Sequence, residues 1–182
     1  MKMAKKLLAV VLAGVLALSV LTGCGDAAST KTIADVLSDM SKVEEIVYKA
    51  DSKLNGKAKE LGEYAVKFAK DHEHEGEDFD YSGELNKGIM AEVMKDYKDK
   101  FVYIAETETK GYNATTQAYT LLEVMYSGDD DGNINSAVRR DKDTTPAKVR
   151  YIGTATIEVE GEIYRVAVVT ADAEDVKKPE KN

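Results

Sequence analysis

Two short segments of this chain are dense in groups that could bind a metal or move a proton. The first is His72-Glu73-His74-Glu75-Gly76-Glu77-Asp78, with two imidazoles among carboxylates. Histidines two residues apart do not share a helix face, unlike the four-residue spacing of helical zinc sites. They would have to bind metal from an extended loop, and a solvated acidic loop is the plainer reading. The second segment places oxygen ligands at alternate positions, Ser127, Asp129 and Asp131, ahead of Gly132. That spacing suits a hard cation such as calcium, and the glycine permits a sharp turn. The position that should carry a closing bidentate acid is Val138, so weak calcium binding competes with a plain acidic turn. Glu106 and Glu108 form a possible acid–base pair, although acids two apart without a base usually line a strand's solvent face. There is no Gly-x-Ser-x-Gly elbow, no phosphate-cradling glycine loop and no CxxC.

The single cysteine has a more specific setting. Lys2, Lys5 and Lys6 precede an uncharged apolar run over residues 7–21, and Leu21-Thr22-Gly23-Cys24 follows. This is the layout of an export signal. Its end resembles a bacterial lipobox, in which the cysteine thiol takes a diacylglyceryl group and becomes the new N-terminus. Two acyl chains make a lasting anchor where one is marginal, each buried methylene contributing roughly 0.8 kcal/mol. The alternative is an uncleaved transmembrane helix, for which the run is short, since roughly 20 residues are needed. The expectation is a signal peptide over 1–23, a lipidated Cys24 with a flexible tether to 32, a domain over 33–176 and a polar tail over 177–182. The partner is then a lipid bilayer, and the location a cell membrane, facing away from the cytoplasm.

Composition limits the rest. The three leader lysines are among 25 basic residues, so the mature chain carries 22 against 33 acids, a formal charge of −11. Such a surface repels phosphate backbones, which argues against nucleic acid as a partner. One cysteine cannot make an internal disulfide, so the domain must cohere by packing.

The elements that must position these groups follow from periodicity. Ile33, Val36, Leu37 and Met40 repeat at helical spacing, and Val43, Ile46 and Val47 continue the stripe. Asn55-Gly56 is expected to break this helix before a second one bearing Leu61, Tyr64, Ala65, Phe68 and Ala69. A polar loop runs from 71 to about 83, and Ile89, Val93, Met94 and Tyr97 predict a short helix. Residues 101–105 read as a buried strand. Thr115-Thr116 is expected to cap a helix through Ala118, Leu121, Leu122 and Met125. Alternation over 149–159, a Glu160-Gly161 turn and an apolar return over 163–170 predict a hairpin. The fold class is α+β, helices covering a mostly antiparallel sheet.

Over residues 54–169 three short stretches resemble the CAP superfamily (cysteine-rich secretory proteins, antigen 5, pathogenesis-related 1), or SCP domain. Ala105-Glu106-Thr107 with Gly111 stands where bacterial members have Gly-Glu-Asn-Ile-Ala-x-Gly. Val124-Met125-Tyr126-Ser127 matches the Met and Ser of Trp-Met-x-Ser, and Asn133-Ile134 falls where the family's Asn-Ile follows. The 151–155 and 164–168 stretches are similar to its final hairpin. The resemblance implies a three-layer α/β/α sandwich with a cleft, here formed by Tyr81, Glu106, Ser127, Asp130 and Asn133. Tyr81 and Asp130 occupy the family's two histidine positions, so a nitrogen-rich metal site is not expected. It therefore implies a degenerate, non-catalytic member that binds an envelope or extracellular ligand and needs no cofactor. The alternatives are metal-dependent or hydrolytic activity in a residual cleft reached by His72 and His74, or a calcium-binding surface module using Asp129 and Asp131.

Overall fold

The structure is a computed structural model that describes residues 28–76, 78–126, 132–138 and 144–175. The expected leader, Cys24, the acidic turn at 127–131 and the tail at 177–182 lie outside those residues.

Helix α1 (Thr30–Met40) starts at Ser29, whose hydroxyl accepts the Thr32 N–H at 3.1 Å, and buries Ile33, Ala34 and Leu37. The apolar stripe does not continue as helix. Val43 is 91% exposed, and Glu45 turns the chain at φ 58°. Strand β1 (Val47–Ala50) follows and pairs in parallel with residues 149–152. Val43, Ile46 and Val47 have helical spacing, but pairing with a distant strand decides the conformation. The Ser38 hydroxyl of α1 accepts the Tyr48 N–H at 2.8 Å, tying helix to strand.

Helix α2 (Ser52–Asp71), capped by Asp51, runs unbroken through Asn55-Gly56, contrary to the expected break. Gly56 faces open space, so its cost is only its weak helix propensity. Asn55 is held by tertiary bonds, its Oδ1 accepting the Thr154 N–H and the Thr30 hydroxyl, each at 3.0 Å.

Helix α3 (Tyr81–Gly88) begins inside the expected loop because Asp80 caps it, accepting the Gly83 N–H at 3.0 Å. It continues as a π-helical turn over Ile89–Val93 and a 3-10 turn over Lys95–Tyr97, burying Ile89, Val93 and Met94. Strand β2 (Lys100–Glu108) contains the predicted buried run. Helix α4 (Ala114–Tyr126) buries Ala118, Leu121 and Met125, but its cap is Asn113, which accepts the Thr116 N–H at 2.9 Å, rather than Thr115-Thr116. The hairpin of β3 (Thr144–Val159) and β4 (Glu162–Asp175) closes through Glu160 (φ 56°) and Gly161 (φ 81°), the left-handed pair that a two-residue turn requires.

The sheet order is β1-β3-β4-β2. Only the β1–β3 pair is parallel, so the α+β sheet is mixed but mostly antiparallel. Helices α1 and α4 pack on one face, against Ile152, Ala167, Val169 and Ala171. Helices α2 and α3 pack on the other, against Val102, Val166 and Val168. Strand β4 is thus buried on both sides, which explains its continuously apolar sequence.

A methyl at Gly153 would overlap the Leu54 carbonyl carbon and the Asn55 nitrogen. Gly153→Ala is therefore expected to destabilise the domain by about 3 kcal/mol in urea unfolding. Gly56→Ala, in α2 with nothing to meet, is expected to stabilise it by about 1 kcal/mol.

Candidate functional site

The side of the sheet under α2 and α3 carries most of the described candidate residues. His72 follows the last turn of α2, four residues after Phe68. Its ring stacks on Phe68 at 4.1 Å and on Phe79 at 5.1 Å, and its Nδ1 lies 2.7 Å from the Phe68 carbonyl oxygen. A carbonyl only accepts, so Nδ1 carries the proton and Nε2 is the free nitrogen. His74 has a side chain 92% exposed and 3.1 Å from Glu73. The structure therefore does not bring the two imidazoles together. Among the described residues no group of three or more His, Cys, Asp or Glu is placed to hold a metal ion.

Tyr81 opens α3 and sets its ring edge-on to Phe68 at 5.0 Å and to Phe79 at 6.1 Å. Burial pushes its phenol up to about 12, so it stays neutral at any physiological pH and cannot serve as a base. With Tyr64 stacked on Phe68 at 6.2 Å, these residues form an aromatic cluster at the C-terminal end of α2. The signal for it in the sequence was the four-residue spacing of Tyr64, Phe68 and His72 along one helix face.

Glu106 lies on β2 and, by strand alternation, faces the same side as Val102 and Ile104. It is half-buried rather than on a solvent face, while Glu108 is exposed. Desolvation raises its carboxyl from 4.5 to about 7. The described residues give it no hydrogen bond or ion pair to Tyr81, His72 or Asn133. Among the described residues the site offers an acid on the α2/α3 side of the sheet without a hydrogen-bonded or ion-paired base.

Asn133 serves the sheet edge. Its Oδ1 accepts the N–H groups of Val102 (2.9 Å) and Asn135 (3.2 Å), and its Nδ2 donates to the carbonyls of Asn135 (3.1 Å) and Val138 (2.6 Å). The amide is fully used in pinning residues 132–138 to β2, so it has no capacity left for a ligand. Buried Asn135 extends the pin, its Nδ2 donating to the carbonyls of Lys100 (2.7 Å) and Lys98 (3.0 Å), with that of Tyr97 at 3.3 Å. Ser127, Asp129, Asp130 and Asp131 lie outside the described residues.

The opposite side of the sheet holds two buried guanidinium groups that sequence reasoning missed. Arg150 lies over the rings of Tyr103 (5.5 Å) and Tyr126 (5.3 Å). Arg165 reaches Gln117 and Thr154. Strand alternation with Ala167 and Val169 would have placed Arg165 inward.

Comparison with protein family models, with curated proteins and with solved structures finds no match.

The acid generates a pH dependence. An acid whose folded pKa is raised binds its proton more tightly in the folded state, so stability is lost as pH rises from 4.5 to about 7. Glu106→Gln is expected to leave the melting temperature nearly unchanged at pH 4.5. At pH 8 it should stabilise the domain by at most about 3 kcal/mol. Melting curves of both proteins across that range check it; parallel pH profiles would contradict it.

Proposed function

We propose that this chain is an exported lipoprotein, held on the non-cytoplasmic side of a membrane by acyl chains on Cys24. Its domain is read as a degenerate CAP-like module that binds an envelope or extracellular ligand rather than catalysing a reaction. The observation that carries the anchored reading is the sequence of positive start, uncharged apolar run and Leu21-Thr22-Gly23-Cys24. Cys24 precedes the α1 cap at Ser29 by five residues. Fully extended, that tether spans about 17 Å, so the domain stays close to the headgroups.

Several features support a CAP-like binding module. Two helix layers enclose a mostly antiparallel sheet, and the hairpin that resembles the family's last two strands lies at its centre. At the position where the family carries a histidine, Tyr81 packs into an aromatic cluster and stays protonated. His72 spends its ring on stacking and its Nδ1–H on a carbonyl, and among the described residues Glu106 has no hydrogen-bonded base or orienting group of the kind acid–base catalysis needs. A half-buried aromatic cluster is a surface on which an apolar or ring-bearing ligand group can lie.

Membrane fractionation of the expressing bacterium tests the anchor. The wild-type chain is expected in the membrane fraction, released by detergent but not by salt. Cys24→Ser is expected to lose the lipid, leaving either an uncleaved precursor or a fast-migrating soluble form, with the domain's melting temperature unchanged. A Cys24→Ser protein matching the wild type in mass shift, processing and detergent partitioning would overturn the reading.

A further inference from the structure

The two edges of the sheet are finished differently. Along β1 the outward N–H of Tyr48 goes to the Ser38 hydroxyl at 2.8 Å, and that of Ile46, just before the strand, to the Ser41 carbonyl at 3.1 Å. Along β2 the outward N–H and C=O of Val102 meet Asn133 and Ile134, and the Lys100 carbonyl meets Asn135. This cover ends in a single bridge between Tyr103 and Asn133. Beyond it the parity of the strand holds, since the Thr109 N–H points inward to the Ile163 carbonyl at 3.1 Å. Glu106 and Glu108 therefore turn their backbone groups away from β4. Among the described residues none bonds the Glu106 N–H, the Glu106 C=O or the Glu108 N–H, and the Glu108 carbonyl meets only the neighbouring Thr107 hydroxyl at 3.3 Å. Such an edge is a template for one more strand.

The side chains along it are acidic. Glu106 and Glu108 share one face of β2, and Tyr164 stands directly across from Glu108 on β4. Burial, and then the charges of Glu108, Glu106, Glu162 and Glu160, push the Tyr164 phenol up, so four carboxylates surround one half-buried ring. Lys110 pairs with Glu162 at 3.1 Å, while the described residues give Glu106 and Glu108 no cation. An antiparallel pairing of these rungs with those of a second copy would set each acid against another acid, which destabilises a sheet. A basic strand makes the opposite match, and its guanidinium groups could also lie on the Tyr164 ring.

We propose that the outer edge of β2 at Glu106 and Glu108 takes an extended basic segment of a partner protein as an added antiparallel strand, with alternate Arg or Lys side chains facing the two acids. Main-chain bonds supply the docking and the acids supply the selection. The inference rests on the binding reading above and names its ligand as a peptide. The lipid anchor and the aromatic cluster play no part in it.

The test adds a fluorescein-labelled peptide, acetyl-Ser-Arg-Thr-Arg-Thr-Ser-amide, to the full chain in a neutral detergent and follows anisotropy and amide hydrogen exchange. Saturable binding is expected, with exchange at the Glu106 and Glu108 N–H groups slowed at least about tenfold. The same peptide N-methylated at both arginines keeps its charge but cannot pair, and is expected to bind at least about tenfold more weakly. Glu108→Lys, at an exposed position, is expected to weaken binding about fivefold, and replacing the facing arginine of the peptide by glutamate to restore it. Glu106→Pro, which removes an outward N–H and no sheet bond, is expected to abolish binding. If that variant does not fold, the N-methylated peptide decides alone. The proposal is overturned by the absence of saturable binding, by equal binding of the N-methylated peptide, or by protection confined to other amides. A peptide-free dimer that already protects the Glu106 and Glu108 amides would likewise overturn it, giving the edge to a second copy. Each of these failures strikes the edge alone, since a ligand of the aromatic cluster would leave exchange at Glu106 and Glu108 unchanged.

Discussion

The whole arrangement depends on the backbone of α2 resting directly on β3 at Gly153. Strand β1 stops at Ala50, and the Asp51 N–H still donates to the Ile152 carbonyl at 2.8 Å as the chain turns into the helix. One turn later Asn55 takes the Thr154 N–H, occupying the strand edge that β1 has vacated. No loop separates strand from helix, so the path of α2 is fixed by the edge it leaves. Any side chain at Gly153 would lift the helix off the sheet. Because the same Asn55 oxygen also receives the Thr30 hydroxyl, the start of α1 is tied to the start of α2 although the two helices cover opposite faces.

From that junction follows a division of labour between the two faces. Beneath α2 and α3 lie the aliphatic packing of Leu54, Leu61, Ile89 and Val168, the aromatic cluster and the half-buried Glu106. Beneath α1 and α4 lie Phe101, Tyr103 and Leu121, interrupted by Arg150 among tyrosine rings and by Arg165 within a chain of hydroxyl and amide groups. Buried arginines are costly, and each is accommodated differently, one by ring faces and one by neutral acceptors. The chain has a single cysteine, so this packing and hydrogen bonding must hold the domain without an internal disulfide.

How far the sequence disclosed this depends on whether a residue's partners are local. The β3–β4 hairpin was legible because alternation and a Glu160-Gly161 turn are local properties, and the apolar face of α4 was legible for the same reason. Strand β1 was not, since only Tyr48 of its four residues is buried and its pairing partner lies about a hundred positions away. The unbroken course of α2 was hidden because Asn55-Gly56 reads as a breaker until Thr154 and Thr30 are seen to hold Asn55. In the site, Glu106 stood out as a carboxylate, but which way it faces depends on β2 register. Asn133 matched a motif while its amide turned out to be spent on the sheet edge. His72 and His74 looked like a pair in the sequence, whereas the Phe68 ring captures only one of them.

The claim on which the functional account hangs is chemical and concerns the first residue of the finished protein. Intact-mass and N-terminal peptide mass spectrometry of the protein isolated from its native membrane reads it directly. The account predicts a chain that begins at Cys24 and carries a diacylglyceryl thioether on its sulfur. A free thiol at that position, or a chain that still retains residues 1–23, would contradict it.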